Sequence, residues 1–274
     1  MSAINYQKPQ LRNTRENNQN MVDFHVHSNY SLDGTIPIAK LLKTAKRLNL
    51  GLAICDHNEI QGSLEAGQQS DVIIIPGIEV NCNNGTHVLL YFRTHSELES
   101  FFENIVKPNK KSGAFVIDLL PQELIEKARS FNCVISMPHP FDVFKGGVQR
   151  AISAGTVKES FIRDNVDAIE VLNGMANREQ NKQSADWARQ MKKPILAGSD
   201  GHVLWQIGTV ATKVFGKNAE EIISNLLGEN DVFGEELTGW KKRFTEIRKE
   251  MHLIFRKEGI KILSNQIKRS IKKR

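Results

Sequence analysis

Short apolar runs alternate with longer segments whose apolar positions recur every three or four residues. The runs are MVDFHV, LGLAI, DVIIIPGIEV, HVLLYF, CVISM, DAIEVL and PILAG, and they begin at Met21. Their length and β-branched content predict strands. Between them lie PIAKLLKTAKRLNL, SELESFFENIV, PQELIEKARSFN and NKQSADWARQMK, whose spacing predicts amphipathic helices. Pro37 suits the first turn of one helix and Asn218 suits the N-cap of AEEIISNLL. Strands alternating with helices of this length predict βαβ units and a mostly parallel sheet, open or closed into a barrel.

Two ends of the chain differ from this body. Residues 1–20 are polar and predict a disordered or loosely docked lead-in. From Trp240 a basic helical segment begins, with Phe244, Ile247, Met251 and Ile254/Phe255 on one stripe and Gly259 interrupting it. That stripe could dock on the barrel and leave the lysines in water. The organisation expected is a lead-in over 1–20, a catalytic domain over 21–232, and a basic amphipathic extension over 233–274.

Composition narrows the class. The chain has 274 residues, enough for one sizeable core, with 40% hydrophobic and 25% charged residues. Its three cysteines, Cys55, Cys82 and Cys133, are scattered, which argues against a disulfide framework and a cysteine zinc knuckle. The first twenty residues hold no apolar segment of signal-peptide length, and no run approaches the ~20 apolar residues of a membrane span. A soluble cytoplasmic protein is expected. The formal charge of +6 is unevenly spread: residues 240–274 hold 13 Lys or Arg against 3 Glu, a net of +10, so the other 239 residues carry −4.

The candidate chemistry lies at the strand ends. Six of the eight histidines fall there: His25 and His27 at the end of the first run, His57 in CDHN, His87 at the start of HVLLYF, His139 in MPHPF and His202 in GSDGH. Glu79 in PGIE and Asp200 in GSDGH accompany them. A parallel α/β fold gathers the carboxyl ends of its strands on one face, and i, i+2 residues point the same way, so His25 and His27 can grip one ion. A lone His-x-His is usually an ordinary strand pair. So many imidazoles and carboxylates at one kind of position suit zinc, iron or manganese instead, in more than one site. His95 and His252 lie outside every motif.

In order along the chain, DFHVHSNYSLDG, AICDHN, PGIEV, THVLLYF, PHP and GSDGH resemble the motifs of the PHP (polymerase and histidinol phosphatase) superfamily. The resemblance covers roughly residues 21–215 and is closest to stand-alone metal-dependent phosphoesterases. It implies a distorted β/α (TIM-like) barrel holding two or three divalent ions of manganese, iron or zinc. The implied ligands are His25, His27, Glu79 and Asp200 for one ion. A second shares Glu79 and adds His87 and His139. A third takes Asp33, His57 and His202. Asp56 is implied as an orienter of its neighbour. The family more often has threonine where Cys55 stands.

The resemblance implies hydrolysis of phosphate esters by a metal-activated water, with Asp200 or His202 moving the proton. No Ser, Cys or Asp nucleophile is required. For substrate binding, Arg178, Asn177 and Lys145 are the candidates, with Asn173 and Arg150 nearby. Arg178 is suited to clamp a phosphate. The expected substrate is a small phosphorylated metabolite or a nucleotide. The alternatives are oligonucleotide hydrolysis, with nucleic acid held by the basic tail, and a non-catalytic metal-binding regulatory module. The tail could also pair two subunits as a homo-oligomer or meet acidic lipid.

Overall fold

The structure is a computed structural model that describes residues 2–11, 18–69, 72–110, 115–142, 144, 146–235, 237 and 239–255. One curled ten-stranded sheet organises it, in the order β1-β10-β9-β2-β3-β4-β5-β6-β7-β8. The strands are β1 (Ile4–Asn5), β2 (Gln19–Val26), β3 (Gly51–Ile54), β4 (Ile74–Asn81), β5 (His87–Phe92), β6 (Cys133–Met137), β7 (Ala168–Asn173), β8 (Ile195–Gly198), β9 (Val210–Phe215) and β10 (Asp231–Gly234). β2, β3 and β4 run parallel, as do β6, β7 and β8, while β5 runs antiparallel to both neighbours. The carboxyl ends of six strands and the amino end of β5 therefore meet on one face. The fold is a distorted TIM-like β/α barrel.

The helices are α1 (Ile38–Leu48), α2 (Gln61–Gln68), α3 (His95–Phe101), α4 (Lys107–Asn109), α5 (Pro121–Ala128), α6 (Val148–Ser153), α7 (Glu159–Asn165), α8 (Arg178–Met191), α9 (Ala219–Asn225) and α10 (Gly239–Phe255). α1 shows why the pattern reads as helix: Ile38, Leu41, Leu42 and Ala45 are buried on one stripe. It ends at Asn49, whose left-handed φ of 55° turns its N–H back onto the carbonyls of Ala45 and Lys46. Asn218 caps α9 by accepting from the Glu221 N–H.

Inside the barrel, each strand from β2 to β8 contributes to one apolar floor: Phe24, Ala53, Ile75, Tyr91, Val134, Ala168 and Leu196. α9 packs on the same cluster through Ile222, Ile223 and Leu226. The two-residue period of the strands then lifts polar groups above this floor. Ile75 is followed on its face by Gly77 and Glu79, Ala168 by Glu170, and Leu89 on the reversed strand by His87. The same backbone pattern that buries the core thus raises these polar side chains.

The ends of the chain do more than flank the barrel. Ile4–Asn5 pairs in parallel with β10, and Ala3 N–H donates to Asp231. β2 begins at Gln19, two residues before the apolar run. α10 corrects the expectation of a docked apolar stripe. Trp240, Phe244, Ile247, Met251 and Ile254 are each 45–70% exposed, whereas Thr245 is fully buried and Lys249 only 13% exposed. Gly259 and the rest of the tail lie outside the described residues.

Closure of the barrel depends on β8 lying against β2. His27 N–H donates to Gly201 O at 2.9 Å, and Gly201 N–H to His25 O at 3.3 Å. A Cβ at Gly198 would sit 2.2 Å from His25 Cβ and 2.7 Å from its backbone N, so only glycine permits this approach. We predict that Gly198→Ala destabilises the fold by about 1–3 kcal/mol, read from denaturant midpoints, and lowers metal binding together with stability. Wild-type stability in that variant would show that the strands do not close there.

Candidate metal centre

Glu79, at the upper end of β4 and 1% exposed, is the hub. Its Oε2 lies 2.9 Å from His57 Nδ1, 3.3 Å from His25 Nε2 and 3.4 Å from His27 Nε2. Its Oε1 lies 2.9 Å from His87 Nδ1 and 3.3 Å from His139 Nε2. Five imidazoles thus surround one carboxylate. A second group forms at Asp33, whose Oδ2 is 2.9 Å from His202 Nε2 and 3.7 Å from His57 Nε2. Asp200 Oδ1 completes a third with His27 Nε2 at 3.3 Å and His25 Nε2 at 3.8 Å.

These contacts are close but poorly made as hydrogen bonds. Glu79 Oε2 and His57 Nδ1 are both buried without a hydrogen-bond partner despite their 2.9 Å separation. His25 Nε2 and His27 Nε2 face each other at 3.1 Å, so at most one of them can donate. Donor atoms about 3–3.5 Å apart are what several ligands ~2.1 Å from one ion would show. Among the described residues, three groups offer ligand atoms within 4.8 Å of one another: His27, Asp33, His57 and His202; His25, His27 and Asp200; and His57, Glu79 and His87. The residues fit divalent cations, and the mixed imidazole and carboxylate set suits zinc, iron or manganese.

The charge balance agrees. Burial would raise the Glu79 carboxyl, but His57, His87 and His25 hold it well below the usual range. Asp33 is likewise held low, against burial, by His202, Lys249 and His57. Burial opposes charge on His57, yet Glu79 and Asp33 raise it to about 10. The carboxylates are so concentrated that they hold protons on a buried imidazole and draw in an ammonium.

Strained backbone carries two residues of the cluster. His139 and Asp200 both sit at positive φ, 29° and 51°, a region that is costly for residues other than glycine. Around them a supporting layer fixes orientation. Glu170 on β7 accepts from His25 Nδ1 at 3.0 Å and from His139 N–H at 2.8 Å. It also accepts from Asn173 Nδ2 at 2.9 Å, and Asn173 reaches Asp200 at 3.4 Å. Asp56 takes both the N–H and the hydroxyl of Ser28 at 2.6 Å, bracing the loop after His27. The carbonyl of Asp200 lies 2.7 Å from His202 Nδ1, which fixes that nitrogen as the protonated one and leaves Nε2 facing Asp33.

All nine residues expected as ligands therefore converge: His25, His27, Asp33, His57, Glu79, His87, His139, Asp200 and His202. The expected substrate-binding residues do not join them. Asn177 caps α8 by accepting from the Gln180 N–H. Arg178 lies over the Tyr6 ring at 4.9 Å, in a cleft also lined by Asn181 and Glu235. Lys145 lies outside the described residues. Sequence reasoning missed Glu170, embedded in an apolar strand, and Lys249, whose Nζ is 2.9 Å from Asp33 Oδ2. For Glu170 the signal was a carboxylate on the inward phase of a buried strand. For Lys249 there was none.

Known proteins share this architecture. A family model described as PHP-associated matches residues 178–229. A two-domain protein of Bacteroides vulgatus, containing a predicted PHP-like metal-dependent phosphoesterase, superposes with a TM-score of 0.61 over 91% of this chain and 74% of that one, at 16% identity. The chain shares the fold of that PHP-like protein. A lesion-specific endonuclease of Pyrococcus furiosus also superposes, with a TM-score of 0.60 at 20% identity. That likeness covers 78% of this chain and only 57% of the endonuclease. An uncharacterized protein of Methanocaldococcus jannaschii is 28% identical over 208 residues, 73% of each chain. No helix among the described residues is long and apolar enough to cross a membrane.

Two outcomes follow for this centre. Glu170→Gln should weaken metal binding roughly 10–100-fold, measured by competition with a chelating dye, because His25 and His139 lose their brace. Metal affinity should climb with pH through the neutral range if His57, raised to about 10, must give up its proton to bind an ion. Calorimetry in buffers of different ionisation enthalpy would count that release, and uptake without proton release would contradict the assignment.

Proposed function

We propose that the chain is a metal-dependent phosphoesterase that hydrolyses phosphate esters of small metabolites or nucleotides. The observation that carries this reading is Glu79, buried with both oxygens turned to five imidazoles and flanked by the Asp33 and Asp200 groups. The ligand sets are His25, His27, Glu79 and Asp200; Glu79, His87 and His139; and Asp33, His57 and His202, with manganese, iron or zinc as the ions. Bound there, the ions supply Lewis acidity, lowering the pKa of a water and offsetting phosphoryl charge.

The chain's own groups do the rest. Glu170 and Asp56 hold the ligand-bearing segments in place. Asp200, 6% exposed, serves with His202 to move a proton toward the leaving oxygen. Cys55 does not compete as a nucleophile. It is fully buried, its thiol is pushed well above the usual range by burial, and its Sγ sits 3.6 Å from the Phe24 carbonyl. The reading is therefore direct hydrolysis without a phosphoenzyme.

A second reading rests on the net +10 of residues 240–274, which would favour an oligonucleotide substrate. Steep loss of activity with salt would support it. Phosphate release from p-nitrophenyl phosphate, its bis ester and short oligonucleotides, on chelator-stripped and manganese-reloaded protein, separates the classes. Activity should return with the metal, and Asp200→Asn or His202→Ala should lower kcat/KM about 10²-fold or more. Reloaded protein that cleaves no ester or oligonucleotide would leave a metal-binding module without turnover.

A further inference from the structure

α10 is held against the barrel in an unusual orientation. Its apolar stripe faces outward, and Phe244 lies by the Trp205 ring, at 5.4 Å between centroids. The face turned inward is polar: Thr245, fully buried, and Lys249 one turn later. Burial of apolar area does not set this orientation. On the inward face, Lys249 Nζ lies 2.9 Å from Asp33 Oδ2. This places an ammonium, 13% exposed, at the rim of the ligand cluster.

We propose that Lys249 is the substrate's phosphate-binding residue, delivered to the site by the polar face of α10. The proposal rests on the phosphoesterase reading. The centre is otherwise built of acceptors and imidazoles committed to Glu79, Asp33 and Asp200. Arg178, the guanidinium expected for this role, is stacked on Tyr6 instead. Lys249 brings three N–H donors, and Asp33 Oδ2, already faced by His202 and His57, occupies one of them. A tetrahedral phosphoryl group has oxygens enough to meet the remaining donors while facing the cluster. The exposed Arg248 beside it on the same helix gives an internal control.

The test uses the full chain loaded with manganese. Binding of inorganic phosphate is measured by calorimetry and KM with p-nitrophenyl phosphate, on wild type, Lys249→Met, Lys249→Arg and Arg248→Met. Metal content and thermal midpoint are recorded for each. Lys249→Met should weaken phosphate binding and raise KM roughly tenfold or more, with kcat changed far less and metal content unchanged. Lys249→Arg should recover most of the affinity, and Arg248→Met should match wild type. Wild-type phosphate affinity in Lys249→Met would overturn the proposal. So would a gain in metal affinity with phosphate binding intact, which would make Lys249 only a stand-in for an ion, or an equal loss in Arg248→Met. Phosphate binding that depends on Lys249 in a protein that hydrolyses no ester would instead overturn the phosphoesterase reading and leave this site standing.

Discussion

A buried carboxylate surrounded by imidazole nitrogens constrains everything else in this molecule. Glu79 is removed from water, yet it stays ionised because His57, His87 and His25 outweigh the cost of burial. The imidazoles in turn are crowded, with His25 and His27 nitrogens 3.1 Å apart. Such a group cannot satisfy itself by hydrogen bonds alone, as the partnerless Glu79 Oε2 and His57 Nδ1 show. Positive charge placed between the donors resolves both problems. The molecule reaches for it with a protonated His57 and with Lys249 drawn in from another element.

The barrel exists in the form that allows this. Parallel strands bring distant residues to one end, and the single reversed strand, β5, contributes His87 from its amino end. Gly198 lets β8 press against His25, so that Asp200 follows within reach of both first-strand histidines. Left-handed backbone at His139 and Asp200 trades local strain for aim. The supporting carboxylates Glu170 and Asp56 then lock what the backbone has placed.

Much of this was legible in the sequence because period and position carry it. Alternating strands and helices forecast a mostly parallel sheet, open or closed, with six histidines, Glu79 and Asp200 at strand ends; the barrel and Asp33 came only with the PHP resemblance, and the structure brings all nine residues together. What escaped was set by long-range packing. Glu170 reads as part of a core strand until its inward phase is known. Lys249 reads as one more charge in a basic helix, and an amphipathic pattern favours docking by the apolar stripe. The helix instead turns Thr245 and Lys249 inward, with Lys249 paired to Asp33. Arg178 looked like a phosphate clamp by residue type, but the N-terminal segment places Tyr6 beneath it. Local pattern could not reveal that β1 pairs with β10 at the far end of the chain.

The central claim is that this cluster is a multinuclear metal centre hinged on Glu79. The most direct test is the metal count per chain, by mass spectrometry with anomalous diffraction to locate the ions, on reloaded wild type and Glu79→Gln. The account predicts two or three ions within the nine-residue cluster of wild type, and loss of at least the ions that share Glu79 in the variant. A single ion, or ions elsewhere on the surface with the cluster empty, would contradict it.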